Sequence, residues 1–134
     1  MRAIVGLFAA AAIAAGAACS DSTGGDSSGG GCRGAGGGAA GAVEVGNILF
    51  RSSRNGSCNP AVDTIPAGGT VTWTWTGTGS VSHSVRSQGT PSFTSSVIQA
   101  GNGITYMVQF NTPGTYRYDC AVHGSAMTGR VVVQ

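Results

Sequence analysis

Hydrophobic residues in the second half of the chain recur at every other position. In "TVTWTWT" Val71, Trp73 and Trp75 fall on one face and threonines on the other, the period of a strand with one buried face. "ITYMVQF" repeats the pattern, with Ile104, Tyr106, Val108 and Phe110 in phase. "VEVGNILF", "SHSV", "GTYRYDC" and "GRVVVQ" read as further strands. The segments between them, "SRNGSCNP", "IPAGG", "TGTGS", "SQGTPS" and "NTPG", are rich in turn formers. There is no helical period of any length and no internal repeat. Six to eight short strands with this spacing predict an all-β sandwich or barrel.

The first forty residues have a different pattern. "MRAIVGLFAAAAIAAGAAC" carries one basic residue, Arg2, followed by an alanine-rich apolar run that ends in small residues. This is the form of a secretory signal, predicted over residues 1–18. A short membrane span is the competing reading, disfavoured by the extreme N-terminal position and the polar tract that follows. Cys19 follows Ala-Ala, as in a bacterial lipobox, and is the candidate lipid attachment site. Gly16 departs from the larger aliphatic residue usual three places before such a cysteine, and ordinary cleavage after Ala17 or Ala18 is the alternative. Residues 19–42 hold no large apolar side chain and read as a Gly/Ser-rich tether, which as a coil would span roughly 25 Å. Its glycines make no phosphate loop, since no Gly-Lys-Ser/Thr follows. The folded domain is expected over residues 43–134, enough for one small core.

Charge adds little. Seven arginines, no lysine and five acids give +2, and loss of Arg2 with the signal leaves +1. No basic run exists, so nucleic acid is not an expected partner.

The chemistry is concentrated near the C-terminus. "YDCAVHGSAMTGRVVVQ" places Cys120, His123 and Met127 in a strand–turn–strand segment. Alternation puts Tyr116, Tyr118 and Cys120 on one face, with Arg117 and Asp119 on the other, so Cys120 ends a core-facing row. His123 and Met127 are expected on the loop that closes the hairpin. The other histidine of the chain is His83, placed by alternation on an inward face with Val81 and Val85. Taken singly, each residue has an ordinary reading: a buried thiol, a satisfied core histidine, a methionine filling a gap. Taken together, two imidazoles, a thiol and a thioether form the trigonal set with a weak axial methionine that suits blue copper. Zinc favours closed tetrahedral sets and gains little from a thioether.

With these residues in order, "HSV" followed by "FNTPGTYRYDCAVHGSAMTGRVVV" resembles the plastocyanin/pseudoazurin branch of the cupredoxins, small type 1 copper proteins. "PGTYRYDC" is similar to the strand that delivers the family's cysteine, and "VTWTW" to the core strand before its first histidine. The resemblance covers residues 43–134 and implies a cupredoxin-like Greek-key β-sandwich or barrel. It implies one copper ion, Cu(I)/Cu(II), held by the Cys120 thiolate, by His83 and His123, and by Met127 on the axis. Three residues separate His123 from Met127, against four in plastocyanin-like loops and two in amicyanin-like ones. Ser84 stands where plastocyanins often have an asparagine tying two ligand loops together, and Ser82 stands where proline is usual. The resemblance also implies that redox protein partners dock at an exposed His123 edge, among Ala121, Val122, Gly124 and Ala126.

The expected function is single-electron transfer outside the cytoplasm by a monomer with no substrate chemistry, joined to a membrane through the lipid on Cys19. Copper storage, delivery or sensing is the alternative. A hydrolase using Cys120 and His123 lacks a separate base or oxyanion constellation, and a multicopper enzyme needs more histidines than two. Trp73, Trp75, Tyr116 and Tyr118 are expected in the core, and "NGS" at Asn55 to Ser57 as a turn rather than a glycosylation site. Cys32 and Cys58 are a possible disulfide in an exported chain. It would close 26 residues and stabilise by ~3 kcal/mol in the chain-entropy model, against the entropy of ordering a glycine-rich tract.

Overall fold

The computed structural model describes Cys32 and residues 36–134. The expected signal (1–18), Cys19 and most of the tether lie outside the described residues. Eight strands make the fold: β1 (Ala42–Gly46), β2 (Leu49–Ser52), β3 (Ala61–Ile65), β4 (Gly69–Trp75), β5 (Arg86–Gln88), β6 (Thr105–Phe110), β7 (Gly114–Cys120) and β8 (Gly124–Val133). They form two four-stranded sheets, ordered β2-β1-β4-β6 and β3-β8-β7-β5. β1 runs parallel to β4 and β3 parallel to β8, while the remaining pairs are antiparallel. The all-β sandwich expected from the alternation is therefore the fold.

The strand with the strictest alternation builds the core. Val71, Trp73 and Trp75 on β4 are fully buried. The Trp73 ring stacks on Phe93 at 5.9 Å and meets Tyr118 edge-on at 5.3 Å, joining the two sheets. Phe50 completes the junction with a 4.9 Å edge contact to Tyr118. Aromatic pairs at such offsets add to the burial of their area. Tyr118 needs room on its other side. Its partner across the ladder is Gly129, where a Cβ would run into the Tyr118 ring. Tyr116 donates its hydroxyl to the Thr112 carbonyl at 2.9 Å and fixes the start of β7.

Several elements differ from the expectation. "VEVGNILF" is a hairpin of two strands rather than one, because Asn47 and Ile48 turn the chain, with Ile48 at φ 55°. "AVDTI" forms β3, a strand too short and too close to its flanking breakers to stand out. "SHSV" contributes only a single bridge, His83 to Gln99, and the strand follows it as β5. Val81 is exposed rather than sharing the inward face of His83 and Val85, because the chain is still turning there, with its amide bonded to the Thr78 carbonyl. Ordered backbone begins before Val43. Gly37 and Gly38 donate to the carbonyls of Arg54 and Ser53, and Ala42 opens β1. Asn55 to Ser57 is a turn, closed by a 2.9 Å bond from the Ser57 amide to the Asn55 side chain.

Candidate metal centre

Strands β7 and β8, the turn that joins them and the segment between β4 and β5 bring the candidate ligands together at one end of the sandwich. Cys120 is the last residue of β7, inward in the same phase as Tyr116 and Tyr118, and fully buried as a free thiol. Its Sγ lies 3.9 Å from Nδ1 of His83 and 3.4 Å from Nδ1 of His123. One ligand atom from each of these three residues lies within 4.8 Å of the other two. The two imidazole rings are 4.8 Å apart, centre to centre. A soft sulfur and two ring nitrogens thus face a common point.

Each position has a local cause. The turn after Cys120 is tight: the His123 amide bonds to the Cys120 carbonyl at 3.2 Å. Gly124 then adopts φ 54°, a conformation open to glycine, and lets the chain reverse at once. β8 begins at Gly124, so Met127 lies on a strand and not on the expected loop. The ladder explains why it is still near the site level. Cys120 pairs with Gly124, whereas Asp119 pairs with Thr128, so β8 carries extra residues opposite a single step of β7. Such a bulge re-aims side chains, and Met127 within it is fully buried.

His83 is held from the backbone, by reciprocal 2.9 Å bonds with Gln99. It is fully buried, and its Nε2 has no hydrogen-bond partner among the described residues. Burial, and then the neighbouring His123, hold its pKa below the ordinary histidine value. The ring is therefore neutral at pH 7, with a lone pair to offer. Ser84 is buried and links the two ligand segments, its Oγ accepting from the Ala121 amide at 3.0 Å. The short side chain suffices because the segments lie close together.

Some contributors carried no signal in the sequence. Gln99 acts only through its backbone. Arg86 clamps Asp119 through two 2.8 Å bonds, Nε to Oδ1 and Nη2 to Oδ2, and so fastens β5 to the end of β7 beside Cys120. Burial opposes the Asp119 charge, but hydrogen bonds from Arg86 and Gln88 and the guanidinium charge outweigh it. The carboxyl stays below its usual range. These partners are 33 residues apart, so no local pattern announces them. Away from the site, Cys32 and Cys58 form a disulfide with Cα atoms 5.8 Å apart.

The donor set fits copper. Two imidazole nitrogens and a thiol sulfur converge, His83 and Cys120 buried and His123 half-buried, with the buried Met127 in the adjoining bulge, and thiolate–imidazole–thioether sets favour that metal. His83, Cys120 and His123 cluster, and with the buried Met127 of the adjoining bulge they make a set typical of a type 1 copper site. The sandwich and this cluster define the class: a copper protein of the cupredoxin kind.

Residues 40–133 match the cupredoxin-like domain family, and the chain belongs to it. Among solved structures it is similar to a purple cupredoxin from Nitrosopumilus maritimus, at 26% identity and a TM-score of 0.53, over 69% of this chain and 98% of that one. A variant of amicyanin in its oxidised form matches in fold at 23% identity and a TM-score of 0.54, over 71% and 82% of the two chains. A copper-containing nitrite reductase from Thermus scotoductus also shares the fold, at 24% identity and a TM-score of 0.52. The match spans 72% of this chain but 22% of that enzyme.

Proposed function

We propose that the protein carries single electrons between redox proteins outside the cytoplasm, using a type 1 copper site and no substrate chemistry of its own. The observation that carries this reading is the convergence of Cys120 Sγ with Nδ1 of His83 and of His123 at 3.9 and 3.4 Å inside a packed β-sandwich. Copper, when bound, supplies the one-electron change between Cu(II) and Cu(I). The protein's residues do the rest. Cys120 gives up its thiol proton to act as a ligand. His83 is kept neutral by burial, and Ser84 and Gln99 hold the ligand segments against each other. Anchored ligands move little between oxidation states, which favours fast exchange over release. Both histidines of the chain belong to the cluster, leaving none for a second, catalytic metal.

Partners dock, in this reading, at the half-buried His123 beside Val122, which is 48% exposed. Weak redox encounters need only small surfaces. The signal-like N-terminus and the disulfide support export, since disulfides persist in oxidising compartments. Cys19 is the proposed lipid anchor, and the working form is a monomer on a tether.

The test is visible absorption of residues 20–134 titrated with Cu(II), beside Cys120→Ser. An intense thiolate-to-copper band at one equivalent, absent in the variant, bleached by ascorbate and restored by reoxidation without loss of metal, is expected. A band with copper lost on reduction points to storage or delivery. Copper binding indifferent to Cys120 overturns the reading.

A further inference from the structure

The outer face of the β3-β8-β7-β5 sheet carries a charge arrangement that the fold itself disfavours. Arg117 on β7 and Arg130 on β8 are direct cross-strand partners, and both are exposed. Like charges directly opposite each other destabilise a ladder. Among the described residues no acid relieves them. Among residues 36–134 the acidic side chains are Glu44, Asp63 and Asp119. Glu44 is paired with Arg51, Asp119 with Arg86, and Asp63 is buried in the core. Gln88 continues the Arg130–Arg117 row onto β5, with Arg86 two residues before it. Beside Arg117 opens a cleft of about 560 Å³ lined by Gln88, Gly89, Thr90, Pro91 and Thr115. The outer face of the other sheet has its Glu44–Arg51 pair instead.

We infer that Arg117, Arg130 and the adjoining cleft form a docking surface for an acidic protein partner, separate from the His123 edge. As a redox docking site it rests on the electron-carrier reading; as a surface for acidic side chains it does not. Arginine forks suit carboxylates, and Arg86 already takes Asp119 in this manner on the same face. Arg117 lies three residues before Cys120, on the opposite face of β7, so the site flanks the metal centre at roughly 10 Å along the strand. A partner held there is steered electrostatically while the ligand end stays accessible. A protein fits better than a nucleic acid. Two arginines with no acidic partner among the described residues make a small patch, with none of the long basic stripe that tracks a phosphate backbone.

The experiment is an NMR titration of ¹⁵N-labelled residues 20–134 with an octaglutamate peptide, and separately with inorganic phosphate. It is run on the apo and on the copper-loaded, reduced chain. A failed copper reading then leaves the apo result standing. The expected result is peptide-induced shifts at Gln88, Thr115, Arg117 and Arg130. R117Q and R130Q should each weaken binding about fivefold, R54Q, an exposed arginine elsewhere, less than about twofold, and binding should fall as salt rises to about 150 mM. Shifts centred on Val122 and His123, equal losses in all three variants, or phosphate matching the peptide at the same amides would overturn the proposal. The last outcome would make this a simple anion site.

Discussion

The two sheets divide the work unequally. The β2-β1-β4-β6 sheet contributes Val43, Val45, Phe50, Val71, Trp73 and Trp75 to the core and no metal ligand. The β3-β8-β7-β5 sheet contributes Cys120 and Met127, with His123 on the turn between its central strands. Even the outer faces differ. Glu44 on the first sheet takes a 2.6 Å bond from Thr76 and pairs with Arg51, while the second displays Arg117 and Arg130, which have no acidic partner among the described residues. A rigid aromatic wall on one side allows the other side to hold ligands in place without a covalent brace at the site. Stability and reactivity can then be perturbed separately.

The largest effect should come from the wall. Trp73→Leu removes the ring that joins the sheets and is expected to cost about 3 kcal/mol in urea unfolding, yet to leave copper stoichiometry at one. Loss of the copper band before loss of the fold would break the comparison. Ser84→Ala should disturb the site as well as the fold. It leaves the Ala121 amide without its acceptor, at a cost of about 1–3 kcal/mol, and should shift the visible band because the two ligand segments lose their link. An unchanged spectrum would assign Ser84 a purely structural role.

Asp63 sharpens the picture through pH. Burial raises its carboxyl pKa, more than the neighbouring Ser52 hydroxyl and the Gly41 amide lower it. Its contribution to stability is therefore most favourable below the ordinary carboxylate pKa and is lost as pH rises through the folded value. Asp63→Asn should melt at a higher temperature than the parent at pH 7, with the gap closing near pH 3, as followed by calorimetry. Asp119 has the opposite sign, losing its contribution as pH falls through its lowered folded pKa, but it acts alike in both proteins and cancels in the difference. The smallest effect is expected from Arg51→Gln. It breaks a partly exposed ion pair and should change stability by less than about 1 kcal/mol.

Much of the site was legible in the chain because its ligands follow strand phase. Cys120 inherits its inward direction from Tyr116 and Tyr118, and His123 follows three residues later. The strictly alternating β4 announced itself for the same reason. β3 did not, since five residues between turn formers carry little periodicity, and its inward Asp63 breaks the apolar pattern. The sequence places Met127 on a loop, because a bulge shows in the pairing of two strands and not in either strand alone.

Local order along the chain determined the fold class, the inward cysteine and which four residues are candidate donors, because side-chain alternation and ligand chemistry are properties of short segments. Only the tertiary structure decided that His83 lies within reach of Cys120, that Ser84 rather than a longer side chain ties the ligand segments, that Arg86 grips Asp119, and that Arg117 faces Arg130. Each of these is a meeting of residues distant in sequence. Strand register, set by the packing of the two sheets, determines which of them meet.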